Sequence, residues 1–156
     1  MAFWLLKTEP ASFGVDHLAA LPQRTSPWDG VRNYQARNFL RDGVQRGDLA
    51  FLYHSSCAVP GIAGIVRVVR AAYPDASAFD RRHAHYDPAS DPATPRWYAI
   101  DVQLQRRCRR LITLDELRAH ADGKLRGLAL LQRGTRLSVM PVVAAHWRFI
   151  LSLERV

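Results

Sequence analysis

G-I-A-G-I-V-R-V-V-R, residues Gly61–Arg70, is the stretch on which the fold turns. Ile62, Val66 and Val68 are expected to point one way, and Ile65 and Val69 the other. A strand apolar on both faces is covered on both sides. Its two glycines, Gly61 and Gly64, suit a sheet that bends sharply, as small barrels require. Upstream, Asp48–His54 (D-L-A-F-L-Y-H) is a second compact apolar strand. Ala2–Lys7 is a third, ended by Thr8-Glu9-Pro10 and expected at the centre of the sheet.

The remaining segments fall around these strands. Ser12 is placed to cap a short helix through Leu21, stopped by Pro22. A loop carrying Trp28 follows, then a helix over Tyr34–Asp42 with Tyr34, Phe39 and Leu40 available for the core. Tyr73–Pro95 is poor in aliphatics and holds Pro74, Pro88, Pro92 and Pro95, so it reads as a long ordered loop or a mobile excursion. Arg96–Arg109 returns to strand, with Gln103 and Gln105 marking a wet face. Thr113 and Glu116 fit a capping box. Short apolar pieces flank Gly134, and Val143–Leu151 is a closing helix with Val143, Trp147, Ile150 and Leu151 on one side. The sum is an α+β fold: a small, curved, partly closed sheet of five to six strands with peripheral short helices. The lack of long crossover helices disfavours a wound βαβ fold.

At 156 residues, one domain spanning 1–156 is expected. The net charge of +8 favours a polyanionic partner, nucleic acid first. Cys57 and Cys108 are too few for a disulfide framework. No membrane-length apolar run and no signal peptide is visible. A soluble cytoplasmic monomer is the expectation, nuclear if the source is eukaryotic.

The chemistry concentrates in S-P-W-D-G-V-R-N-Y-Q-A-R-N, Ser26–Asn38. Planar aromatic, guanidinium and amide groups stack on nucleobases and bond their edges. Trp28 is an aromatic wall for a base, or else a plug at a barrel end. Arg32 is free to reach a phosphate or a base edge, whereas Asn33 has a competing role as helix N-cap. Arg37 and Arg41 share a helix face, which solvation alone explains. Lys7, Thr8 and Glu9 sit at a strand end, where pockets form, or else simply terminate the strand with Glu9 paired to an Arg. Tyr53, His54 and Ser55 end another strand. His54 and Ser55 invite a nucleophile-and-base reading, but no third group or G-x-S-x-G supports catalysis. Arg136 and Ser138 would share one strand face. Arg106, Arg107, Arg109 and Arg110 alternate faces and offer only a general attraction to phosphate. His83 and His85 lack a second ligand pair, so no metal and no cofactor is assigned.

These pieces have an order that resembles the EVE domain family: Phe3–Pro10, Trp28–Asn38, Gly47–Ser55, Gly61–Val68, Ala72–Asp75, Trp97–Val102 and Arg133–Val142. The resemblance spans essentially the whole chain, and Trp28–Asn38 is its most specific block. It implies a PUA-like pseudobarrel related to the YTH and ASCH domains. It also implies binding of modified bases in DNA or RNA, with the base flipped into an aromatic pocket; with the Trp28 block, the +8 charge and no catalytic set, the expectation is a non-enzymatic reader. Carried over, that pocket would be lined by Lys7, Thr8, Trp28, Arg32, Asn33, Tyr53, His54, Ser55, Arg136 and Ser138. A modification-independent RNA-binding module and an enzyme on modified nucleotides are the alternatives. Two positions depart from the family pattern: Met140 stands where Gln is expected, and Val143-Ala144-Ala145 lacks the usual capping Ser or Thr.

Overall fold

Strands β1 (Phe3–Thr8) and β3 (Leu49–His54) send apolar side chains to both sides, as their sequences demand. The computed structural model, which describes residues 1–155, pairs them in parallel, Phe3 beside Leu49 and Thr8 beside His54. Strands β4 (Gly61–Pro74) and β5 (Tyr98–Thr113) form a long antiparallel ribbon next to β3. The edges are β2 (Thr25–Trp28), against β5, and β6 (Val139–Val142), against β1. The result is one six-stranded mixed sheet in the order β2-β5-β4-β3-β1-β6, whose edges do not join. Helices α1 (Val15–Ala20), α2 (Tyr34–Asn38), α3 (Leu114–Arg118) and α4 (Ala144–Leu153) are short and peripheral.

Each face of the sheet carries its own core. Trp4, Leu6, Leu52, Val66, Val68 and Ile100 pack under α1 and α2. Leu5, Phe51, Ile62, Ile65 and Met140 pack under α3 and α4. Trp147 of α4 stacks on Phe3 and Phe51, with ring centroids 4.6 and 3.9 Å away. Buried Asp48 ties the first layer down by accepting from the Trp4 indole (2.9 Å), the Ala2 N–H and the Gln45 N–H.

Ile62 departs from its expected side. It packs with Ile65, not with Val66 and Val68, because the β4–β5 register slips between Ile62 and Gly64. A bulge adds a residue and so reverses the alternation. Gly61 permits the close approach there: a Cβ on it would lie 2.5 Å from the Ile112 carbonyl oxygen.

Further expectations change. Glu9 accepts the Ser12 and Phe13 N–H groups in a turn, so α1 starts after Gly14 and Ser12 caps nothing. Trp28 ends an edge strand, which tolerates Pro27 as a central strand would not. Tyr34 is exposed and stacks on Trp97 at 4.8 Å, leaving Leu40 and the partly buried Phe39 to the core. After Asn38 the chain widens into a π turn, the Val44 N–H reaching the Phe39 carbonyl. Val143 is the exposed N-cap of α4, whose buried side is Trp147, Ile150 and Leu153. The Thr113 cap forms as expected, its hydroxyl accepting from the Glu116 N–H, but the Glu116 carboxylate turns to Arg110.

Candidate functional site

The C-terminal ends of β1 and β3 bring Lys7-Thr8 beside Tyr53-His54. On one side of Lys7 opens a cleft of about 790 Å³. Its walls come from both edges of the sheet: Ser26–Trp28 at the end of β2, and Ser138 just before β6. The sheet therefore curls until its unpaired edges flank one cleft. The Glu9–Phe13 turn and the tip of the Tyr73–Pro95 excursion complete it through Phe13, His83 and His85.

Of the sequence-derived residues, Lys7, Thr8, Trp28, Arg32, Asn33 and Ser138 line this cleft. Trp28 is only 6% exposed, so it is at once a core residue and a wall, with the Phe13 ring meeting it edge-on at 6.3 Å. Asn33 caps α2 through Oδ1, which accepts from the Ala36 N–H at 2.9 Å; its amide nitrogen has no acceptor among the described residues. The Lys7 ammonium makes no hydrogen bond or ion pair among the described residues and lies 5.9 Å from the centre of the Tyr53 ring. Burial without a counter-charge pulls its pKa below the ordinary lysine value.

Arg32 is not free. Its guanidinium donates to the Asp75 carboxylate (2.9 Å), the Ser77 hydroxyl (3.2 Å) and the His85 carbonyl (2.6 Å), and it lies over Trp97. Asp75, 1% exposed, also accepts from the Gly30 N–H (2.8 Å) and from both donors of Ser77. Burial works to raise the Asp75 pKa, but these hydrogen bonds outweigh it and hold the group below the usual carboxylate range. One carboxylate thus fastens the excursion onto the Trp28 block. Gly30 suits this place by its backbone, and any side chain there would displace the exposed His85 imidazole. The Gly30 φ is +76°, and a Cβ would meet the His85 imidazole at 2.6 Å.

The other four sequence-derived residues stand apart from the cleft. Tyr53 borders a second, smaller cavity on the far side of Lys7. His54 Nε2 accepts the Val15 N–H (3.1 Å) at the start of α1, and burial lowers its pKa. The Ser55 hydroxyl donates to the Thr8 carbonyl (3.3 Å), so His54 and Ser55 do not form a nucleophile–base pair. Arg136 lies exposed in the loop before β6, off any strand, and so shares no strand face with Ser138. Arg106, Arg107 and Arg110 are paired with Glu154, Asp16 and Glu116, which spends much of their charge internally. Met140 is fully buried and lines neither cavity. Among the described residues no cluster of His, Cys, Asp and Glu could hold a metal ion, and no helix is long and apolar enough to cross a membrane.

Sequence reasoning missed Phe13, Asp29, His83 and His85 as cleft residues. The sequence offers the two histidines only as metal ligands. The signal for their place was the Asp29-Gly30 pair, whose bare Cα makes room for an imidazole from a distant loop.

The EVE domain model matches residues 2–153. This chain belongs to the EVE domain family. The domain is 46% identical to thymocyte nuclear protein 1 of Danio rerio and 43% identical to that of Homo sapiens. Each alignment covers 97% of this chain, and 71% and 73% of those proteins respectively. The crystal structure of the human THYN1 protein in complex with 5-methylcytosine-containing DNA superposes with a TM-score of 0.96. It has 42% identity and covers 100% of this EVE domain and 99% of that chain. A Pseudomonas putida crystal structure superposes at 0.92 with 46% identity, covering 98% and 99%. The fold is thus the EVE, PUA-like one.

Proposed function

We propose that this EVE domain is a non-enzymatic reader of modified cytosine in nucleic acid, DNA foremost. The observation that carries the reading is the likeness, at TM-score 0.96, to a human protein captured with 5-methylcytosine-containing DNA. The cleft supports it with suitable chemistry. Its volume of about 790 Å³ lies in the range that small-molecule sites occupy. The Trp28 indole offers a stacking face, Lys7 and the Asn33 amide offer donors, and Glu9 and Asp29 offer carboxylates. A carboxylate accepts from the exocyclic amine of cytosine. A base in a duplex cannot reach such a cleft while stacked, so the target is flipped out, at a cost of a few kcal/mol.

The test is titration of labelled oligonucleotides carrying cytosine or 5-methylcytosine. One buried methyl is worth about 0.8 kcal/mol, so the methylated strand should bind about 4-fold tighter. Trp28→Ala is a poor probe, since a buried Trp truncated to Ala costs about 3–5 kcal/mol of stability. Trp28→Leu keeps apolar bulk and removes the stack, worth ~1–3 kcal/mol, so affinity should fall about 5- to 150-fold. Equal affinity for both strands, unchanged by Trp28→Leu, overturns the reading in favour of modification-independent binding.

A further inference from the structure

The second cavity, about 450 Å³, meets the cleft at Lys7. Tyr53 at the end of β3, Arg118 of α3, and Gln132, Arg133 and Thr135 ahead of β6 line it. No carboxylate is among its lining residues, while three cations are. Their charges are poorly matched within the protein. Arg118 reaches only Asp115, at 3.9 Å, with both side chains well exposed, a geometry that contributes little. Arg133 and Lys7 have no hydrogen-bonding or ionic partner among the described residues. The neutral groups that accompany them, the Tyr53 and Thr135 hydroxyls and the Gln132 amide, can all donate. Cationic forks and hydroxyl donors around one space are what an anion with several acceptor oxygens requires.

We propose that this cavity is a phosphate subsite. It takes the backbone phosphodiester adjacent to the base held in the Trp28 cleft, with Lys7 shared between base and backbone. The inference rests on the base-reading function proposed above. It also gives Lys7 a reason to remain half-buried and unpaired: its counter-charge arrives with the strand.

The experiment uses the full chain and a 5-methylcytosine oligonucleotide across a salt series. Wild type is compared with Arg133→Ala and with the Arg118→Ala/Arg133→Ala pair. Both side chains are exposed or end on the surface, and an unchanged melting temperature confirms intact folding. Loss of one phosphate contact should weaken binding and reduce the slope of log K against log salt by about 0.7–0.9. In parallel, a neutral methylphosphonate is walked along the strand around the modified base. One position should reproduce the loss in wild type and add nothing in the double variant. An unchanged slope, or methylphosphonate effects that add fully at every position, overturns the subsite. Inorganic phosphate that raises the melting temperature through Arg133, with no position-specific methylphosphonate effect, assigns the cavity to free phosphate and also overturns it. The two proposals fail separately. Absent discrimination between cytosine and 5-methylcytosine sinks base reading. Intact discrimination with unaltered affinity and slope in the arginine variants sinks the subsite alone.

Discussion

Replacing Arg32 by Ala should weaken the fold more than any direct contact with nucleic acid would suggest. The guanidinium is 23% exposed and its partner Asp75 is 1% exposed, so the pair is largely withdrawn from water. Removing one partner of a buried pair costs about 3–5 kcal/mol when the remaining charge is stranded. Asp75 is not wholly stranded, because the Gly30 N–H and both Ser77 donors remain. The expected loss is therefore that of a hydrogen bond to a charged group, ~1.5–3 kcal/mol. For a chain of this length each kcal/mol moves Tm by roughly 2–4 °C, so Tm should drop by about 3–12 °C. Calorimetry and urea unfolding measure it. A double-mutant cycle with Asp75→Ala should show a coupling above about 1 kcal/mol, since the two residues are in contact. Asp75 also sets an acid limit. Its folded pKa is depressed, so its stabilisation is present above the unfolded carboxylate value and is lost as pH falls through the folded one. If Arg32→Ala melts with wild type yet loses affinity for oligonucleotides, Arg32 is a ligand contact and the fastening role is refuted.

Two further predictions follow from the strand ends. His54 accepts the Val15 N–H only when Nε2 is unprotonated, and its folded pKa is lowered by burial. The unfolded chain then binds more protons, so the stabilisation is complete above about pH 6.5 and drains as pH falls through the folded value. His54→Gln, which keeps an acceptor but does not titrate, should flatten the fall in Tm between about pH 7 and 5; identical profiles would refute the cap. Lys7→Met should raise Tm slightly, by no more than about 3 °C given the screening of a half-buried charge, while weakening oligonucleotide binding. A lower Tm would mean that Lys7 is paired within the fold after all.

The strands were legible because their signal is local. Apolar residues on both faces of Phe3–Leu6, Phe51–Leu52 and Ile65–Val68 require a sheet covered twice, and the two cores sit where that pattern puts them. The slips were non-local. Ile62 changed sides because of a register shift against β5, and Pro27 became strand because its neighbour left it an edge. Neither partner can be read from the residue itself.

The same distinction sorts the candidate site. Ser26–Asn38 was rightly singled out as the segment that builds the cleft, but side-chain type did not tell a ligand group from a fastening. Asn33 was legible as a helix cap and forms one, whereas Arg32 read as free and is the fastening, because its partner Asp75 lies far along the chain. What separates a group kept for a ligand is a polar atom left without a partner. By that criterion Lys7, unpaired among the described residues although half-buried, stands out, while Arg32, Arg106 and Arg110 do not. A half-buried lysine with no counter-ion lowers stability unless something anionic arrives. The unpaired cation between the two cavities is therefore the most informative group in the molecule, and the net charge of +8 matters less than where it goes unmatched.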